Sequence, residues 1–387
     1  MSLPPLSLYV HIPWCERKCP YCDFNSHRSP DVLPQREYVA ALLADLDQEL
    51  PAVWGRRLRS VFIGGGTPSL FDASALGELL GGLRARLNLR PDVEITLEAN
   101  PGSSEQQRFA AYREVGINRL SLGVQSFDDA ALQALGRVHD AQQAHRAVEM
   151  ARAAGFENLN LDLMYGLPGQ TLERAVFDVE QALATRPAHL SYYQLTVEPN
   201  TLFHRYPPRL PGESAVAQIE TTVLPRLASA GFSRYEVSAY AQPGRRSRHN
   251  MNYWQFGDYL GIGAGAHAKI TCPQPRRIQR YSKQRQPKAY LRTAGTPQRI
   301  VSRYELADND LVVEYILNAL RLSDGFETAD FSRLTGLAYP RIAARIEALC
   351  DEGLLSHDGA RVTATPMGFR FLNDVVSRFD AGDDRHA

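Results

Sequence analysis

The sequence predicts an α/β protein built on a parallel sheet, followed by a smaller α+β module. Three observations predict it. Short apolar runs alternate with longer amphipathic ones six times between residue 6 and about residue 236. Consecutive strand-then-helix units imply parallel strands in a barrel-like or doubly wound sheet. The residues best suited to chemistry follow directly after the apolar runs, where α/β folds collect their sites.

Each element has its own justification. Leu6–Ile12 reads as the first strand, and Tyr38–Leu50 as a helix with Val39, Leu42, Leu43, Leu46 and Leu50 at helical spacing. Val61–Ile63 is a strand stopped by Gly64-Gly65-Gly66, and Leu76–Leu87 is helical. Val93–Leu97 is a strand ending at Glu98, and a helix follows near Glu105–Val115. Arg119–Val124 is the fourth strand, and Asp129–Ala154 is helical in two pieces. Leu159–Met164 is the fifth strand, Thr171–Ala184 a helix, Leu190–Leu195 the sixth strand and Glu213–Ala230 a helix. Residues 1–240 form the main domain on this reading.

Residues 241–306 differ. They are rich in Gly, Pro, Arg, Tyr and His and include Pro273, Pro275 and Pro287. The expectation is an irregular segment closing over the sheet, with one Gly-rich strand near Gly261–Ile270. Residues 307–387 change again. Leu311–Leu322, Phe331–Thr335 and Pro340–Cys350 read as helices. Leu354–His357 and Arg361–Ala364, joined by Asp358-Gly359, read as a hairpin, and Met367–Phe379 as a last helix. The order is that of a winged-helix-like module. Its helix Ile342–Cys350 holds a single basic residue, Arg345, which favours a structural or partner role over DNA binding. The tail Asp380–Ala387 is polar and expected to fray.

Composition limits the function classes. Lys plus Arg and Asp plus Glu are both 43, so the formal net charge is zero. A general nucleic-acid binder needs a basic excess to neutralise phosphates, so nucleic acid is not an expected partner. No run nears the roughly 20 apolar residues of a membrane span. Met1-Ser2-Leu3-Pro4-Pro5 has neither a basic nor an apolar leader region, so the expected location is the cytoplasm, with any membrane contact made through a partner. Three of the five cysteines, Cys15, Cys19 and Cys22, lie within eight positions. In a reducing compartment such a cluster binds metal or does redox chemistry.

The three cysteines follow the first strand with spacings of three and two residues. Arg17 and Lys18 between them are placed to favour thiolates. A zinc site would need a fourth ligand, and His11, His27, Cys272 and Cys350 offer none at a signature spacing. A cluster of four irons and four sulfides needs one ligand per iron, so three thiolates leave one iron open for a chelating substrate. Gly64-Gly65-Gly66 lets backbone N–H groups approach a carboxylate or amine without a Cβ in the way.

The CxxxCxxC spacing resembles the signature of the radical S-adenosylmethionine superfamily. Tyr9-Val10-His11-Ile12-Pro13-Trp14-Cys15 and Cys19-Pro20-Tyr21-Cys22-Asp23-Phe24-Asn25-Ser26 are similar to the branch related to oxygen-independent coproporphyrinogen III oxidase. Gly64–Ser69, Glu98–Pro101, Gly123–Phe127, Leu135–Arg137 and Asp162–Gly169 continue the likeness over essentially the whole chain. The resemblance implies a partial (β/α)6, TIM-like barrel. It implies a 4Fe-4S cluster on Cys15, Cys19 and Cys22. It also implies S-adenosylmethionine held at the strand tips by Gly65, Gly66, Thr67, Glu98, Gln125, Arg137 and Asp162, with Tyr9 and Tyr21 flanking the cofactors. An electron donor is implied as a partner.

The oxidase pattern carries a further cysteine two positions after the third, where this chain has Phe24. In that respect the chain resembles the HemW-type heme chaperones, and coproporphyrinogen oxidase activity becomes the alternative reading. His249-Asn250-Met251-Asn252-Tyr253-Trp254 matches HNxxYW, which that family associates with heme. Imidazole is a standard axial ligand of heme iron, and Tyr253 and Trp254 offer flat faces for a macrocycle. Arg245, Arg246 and Arg248 could meet propionates. The expected function is therefore binding heme and delivering it to heme proteins, respiratory enzymes of the membrane among them. His249 is the expected ligand. His267 is read as structural and stands next in line. No residue is assigned a catalytic role.

Overall fold

The computed structural model describes residues 3–102, 108–273 and 276–380. Met1, Ser2, the start of the helix expected from Glu105, Pro275 and residues 381–387 of the tail lie outside the described residues.

The expected strand and helix order is present. It comprises β1 (Leu6–Ile12), the short β2 (Trp14–Cys15) and β3 (His27–Arg28), α1 (Gln35–Val53), β4 (Arg57–Gly65) and α2 (Ala73–Arg86). β5 (Asn88–Ala99), α3 (Phe109–Glu114), β6 (Arg119–Gln125), α4 (Asp129–Ala134) and α5 (Ala141–Ala153) follow. Then come β7 (Leu159–Tyr165), α6 (Leu172–Ala184), β8 (His189–Gln194), α7 (Leu202–Arg205) and α8 (Glu213–Ser229). β1, β4, β5, β6, β7 and β8 are neighbours in that order and all parallel. Their residues are buried almost throughout, because helices cover one face and the barrel interior the other. Leu8, Val10, Ile63, Leu97, Leu122 and Leu161 belong to one continuous core.

The register brings the chemistry to one level. Ile12 pairs with Gly65, Glu98 with Ser121 and Asp162 with Ser191. The C-terminal ends of six strands therefore form one rim, as expected for a parallel sheet whose strands point the same way.

Residues 241–306 overturn the expectation of an irregular segment. After β9 (Ser233–Glu236) and β10 (Ala239–Ala241) come α9 (Arg248–Trp254), β11 (Asp258–Ile262), β12 (His267–Pro273), β13 (Arg276–Lys283), α10 (Pro287–Thr293) and β14 (Ile300–Glu305). β11 pairs in parallel with β1, and β12, β13 and β14 extend the sheet antiparallel. The sheet has twelve strands with β14 and β9 at its edges. The strand expected over 261–270 is split in two, because Gly263 and Gly265 adopt φ of +108° and +79° and turn the chain back. The strands escape a hydrophobic reading because their buried positions hold charge. Lys269 and Lys283 are both buried, and Lys283 Nζ contacts Asp45 and Glu49 of α1, which Arg299 also binds.

The C-terminal module contains α11 (Asp308–Ala319), β15 (Phe326–Glu327), α12 (Thr328–Thr335), α13 (Pro340–Asp351), β16 (Leu355–His357), β17 (Arg361–Ala364), α14 (Pro366–Arg370) and α15 (Leu372–Ser377). The hairpin of β16 and β17 forms as expected, and β15 adds a third antiparallel strand. The last helix is broken at Phe371, whose φ and ψ of −106° and 36° leave the helical region. Tyr315, Phe331, Ile346, Val362 and Val375 form the module's own core, and Phe256 and Ile278 of the preceding segment join it. Among the described residues no helix is long and apolar enough to cross a membrane.

Candidate functional site

The cysteine loop is pinned at its base by a short ladder. His27 N–H donates to Pro13 O at 2.7 Å and Ser29 N–H to Cys15 O at 2.8 Å. The residues between are held over the strand rim. A turn brings Cys22 N–H to Cys19 O at 3.2 Å, and Ser26 Oγ lies 3.9 Å from Cys22 Sγ. All three thiols are half-buried and line one cavity. Burial raises the thiol pKa of Cys15 and of Cys22, and the Lys18 charge near Cys22 is a smaller opposing effect. The expectation that Arg17 and Lys18 would set the thiolates is thus corrected for those two. Their deprotonation falls to whatever they bind, and a thiolate-seeking iron centre is suited to that.

Gly65, Gly66, Thr67, Glu98, Gln125, Arg137, Asp162 and Tyr21 line the same cavity. The structure brings every strand-tip residue singled out in the sequence to one place, apart from Tyr9, which faces an adjoining space. Gly65 has φ of +117°, and a Cβ on Gly66 would sit 2.4 Å from Trp14 O. Only glycine allows this close approach. Gly65 N–H donates to Glu98 Oε2 at 3.0 Å. Burial and the neighbouring Asp162 carboxylate push the Glu98 pKa up to about 7. Asp162 is raised as well, chiefly by burial, although Asn160 donates to it at 2.8 Å and Ser121 at 3.3 Å. Two half-buried carboxyls held this way are acceptors waiting for hydroxyl or ammonium donors.

Arg137 crosses the cavity. Its Nη2 donates to Asn100 Oδ1 at 2.6 Å and to Gly123 O at 2.7 Å, and its Nη1 lies 3.6 Å from Cys19 Sγ. Its buried Nε has no partner among the described residues, an orphaned donor that a ligand could satisfy. Asn100 in turn donates to Thr67 Oγ1 at 3.1 Å. Gln125 sits at φ +70°, a conformation rare for a residue with a side chain. Asp178 of α6 holds that turn through Ser126 Oγ and Phe127 N–H, and Tyr193 OH donates to Gln125 Oε1 at 2.9 Å. Asn100, Asp178 and Tyr193 were not singled out in the sequence. Asn100 stood inside the quoted Glu98–Pro101 motif, but nothing in the sequence marked the other two.

A second cavity of about 570 Å³ shares Gly65, Glu98 and Phe24 with the first. Tyr9, His11, Tyr253, Tyr259, His267 and Arg285 line it as well. Tyr9 OH lies 3.0 Å from His11 Nδ1, whose Nε2 reaches Asn25 O at 2.9 Å. Asn25 Nδ2 donates to Ala264 O and Arg285 O, both at 2.9 Å, tying the cysteine loop to the β11–β12 turn.

The HNxxYW segment is the helix α9, not a loop. Ser247 caps it, and Glu94 of β5 accepts from Arg248 N–H at 3.2 Å and His249 N–H at 3.1 Å. His249 is 2% exposed and lines neither cavity. Its Nδ1 lies 2.9 Å from Ser60 Oγ and its Nε2 3.2 Å from Tyr253 OH. The Ser60 hydroxyl donates to Ser7, so it accepts from Nδ1–H and leaves Nε2 to accept from Tyr253. Burial, with the nearby Arg119 charge, pushes the His249 pKa down to about 3. The expected ligand therefore has both ring nitrogens engaged inside the protein. Trp254 is also turned away, with the Arg321 guanidinium 4.4 Å above its ring, and Tyr253 alone of the motif reaches the cavity. Nor do the three arginines converge. Arg245 pairs with Glu157, Arg246 with Asp324 and Arg248 with Asp92. Exposed helix-end arginines find the nearest carboxylate, which a linear motif does not reveal.

Comparison with known proteins gives a consistent picture. Residues 9–181 match the family described as the Radical SAM superfamily, and residues 306–371 match the HemN C-terminal domain. The chain is 45% identical over 379 residues to the heme chaperone HemW of Escherichia coli, covering 98% of this chain and 99% of the relative. It is 44% identical to the heme chaperone HemW of Haemophilus influenzae, covering 98% of each chain. To that of Bacillus subtilis it is 32% identical, covering 96% of this chain and 98% of the relative. Among solved structures, coproporphyrinogen III oxidase (HemN) from Escherichia coli superposes with a TM-score of 0.83 at 23% identity, covering 98% of this chain and 91% of that one. That likeness extends to the fold alone.

Proposed function

The chain belongs to the Radical SAM superfamily and to the HemW family of heme chaperones within it, and from that premise we propose that it binds heme and passes it to heme proteins. In this reading Cys15, Cys19 and Cys22 hold a 4Fe-4S cluster, and S-adenosylmethionine lies beside it. The observation that supports it most is the convergence of three thiols, a glycine turn, two half-buried carboxyls and an arginine on one cavity at the strand tips.

The cluster and S-adenosylmethionine supply one-electron chemistry when bound. The protein's own residues orient and enclose. Gly65 and Gly66 open the backbone to the methionine end, and Thr67 and Asn100 fix that turn. Glu98 and Asp162 accept from ammonium and ribose donors. Arg137 offers its unpartnered Nε–H to a carboxylate, and Gln125 is held by Tyr193 toward the nucleoside. Tyr21, packed on Phe203 at 6.3 Å, shields the thiols from water. An external electron donor and heme-accepting proteins are the partners. The cytoplasm, where thiolates stay reduced, is the compartment.

Heme occupies the adjoining cavity, whose mouth is open and whose walls include Tyr9, Tyr253 and Tyr259. Phe24, 61% exposed, stands between the two cavities. An apolar ring suits a macrocycle, and in the oxidase pattern this position is cysteine. The test is anaerobic reconstitution of the full chain. Four irons and four sulfides per chain, saturable S-adenosylmethionine binding and a Soret band with ferric heme support the reading. Protoporphyrinogen formed from coproporphyrinogen III would replace it with the oxidase reading.

A further inference from the structure

The heme reading leaves one question that the structure addresses, namely which atom meets the iron. His249 is enclosed, and both its nitrogens are engaged. The cavity itself is lined by two imidazoles, His11 and His267, and His11 has both ring nitrogens engaged, by Tyr9 OH at 3.0 Å and Asn25 O at 2.9 Å. His267, the first residue of β12, is exposed and lines the cavity together with Phe24. Among the described residues its ring has no hydrogen-bond partner. The β11–β12 turn that carries it is braced by Asn25 from the cysteine loop and by the positive-φ Gly263 and Gly265. Arg285 also lines the cavity; its backbone carbonyl accepts from Asn25, and its guanidinium forms no ion pair among the described residues. Arg280 pairs with Glu314 at 2.7 Å, so Arg285 is the cation left for an anionic ligand group. The Asp23 carboxylate also lines this cavity.

We propose that His267 is the axial ligand of heme bound in this cavity, that Arg285 meets a propionate, and that Phe24 lies against the macrocycle. The inference rests on the heme-binding reading and goes beyond it by assigning the ligand. A neutral imidazole donates a ring-nitrogen lone pair to ferric iron without redox change. Burial and the Arg280 and Arg285 charges lower the His267 pKa, which keeps the ring in the ligating form. His249 is a positioning residue, because its Nε2 fixes Tyr253, which lines the cavity.

The experiment titrates reconstituted full-length protein, anaerobically, with ferric heme and separately with metal-free protoporphyrin IX. His267→Gly should weaken ferric heme by about tenfold or more and shift the Soret band. It should leave protoporphyrin affinity and iron content unchanged, and added imidazole should restore the band. Arg285→Gln should weaken both ligands without moving the band. If wild type binds heme and His267→Gly binds it with the same band and affinity, the ligand assignment is wrong and the function stands. If His267→Gly loses protoporphyrin and cluster together with heme, its role is structural and the assignment fails. If wild type shows no saturable heme binding, the functional reading fails with it.

Discussion

The Glu98 carboxyl is where residue-level electrostatics are most exposed to test. Its pKa is raised from 4.5 to about 7 by burial, with the Asp162 charge next. The folded chain therefore holds a proton that the unfolded chain gives up between those values. Stability is lost as pH rises through this window, with a penalty on the order of 3 kcal/mol above neutrality. Glu98→Gln removes the ionisation while keeping an acceptor for Gly65 N–H. Ligand-free Glu98→Gln should match wild type near pH 5 and exceed it in urea midpoint at pH 8, while S-adenosylmethionine affinity falls. A midpoint difference that does not grow with pH would show that Glu98 titrates normally. His249 makes an opposite prediction. His249→Leu removes the Nδ1–H donor to Ser60, which keeps its bond to Ser7, and leaves the Tyr253 hydroxyl without its acceptor, at a cost of about 1–3 kcal/mol. Denaturant unfolding should register that loss. The cysteine triad and its glycine turn were legible in the sequence, because short-range spacing and a strand end suffice to place them. The direction of His249 was not, because it depends on Ser60 and Glu94 from two other strands.

At the scale of elements, the segment after residue 240 carries the lesson. A run such as Arg276–Lys283 has few apolar residues, so a hydrophobic alternation is absent. Its strand is specified by a buried polar network instead. Lys283 Nζ donates to Asp45 at 2.6 Å and contacts Glu49, and Arg299 donates to both carboxylates at 2.9 Å. Tyr290 OH donates to Asp45 at 2.8 Å and Gly263 N–H to Tyr290 OH at 3.0 Å, so the network also anchors the turn leading to His267. Removing one partner of a buried pair leaves an uncompensated charge, worth about 3–5 kcal/mol. Lys283→Met should lower stability by that amount in urea unfolding. A loss under about 1 kcal/mol would mean the carboxylates find protons or water instead. The helix α9 was equally hidden. It is seven residues long, and beside the local cap Ser247 its first N–H groups donate to Glu94 of another strand, which no local sequence signal reports. Strands β1 to β8 of the parallel set were readable because both their faces are buried and their composition says so.

On the scale of the whole molecule, two cavities meet at Gly65, Glu98 and Phe24. One is lined by thiols and strand-tip polar groups, the other by tyrosines, two imidazoles and a guanidinium. β11 is the structural link, since it pairs with β1 and places the second cavity beside the first. Cys19→Ala removes one of the three proposed ligands, and the reconstituted variant should lose its iron and sulfide. Four irons retained would show that another residue ligates. We propose that this arrangement serves heme transfer. The most direct measurement is anaerobic incubation of the heme-loaded, reconstituted chain with an apo heme protein, following the acceptor's own Soret band. The acceptor band should rise as the donor band falls. A donor band that persists, with no acceptor spectrum formed, would contradict it.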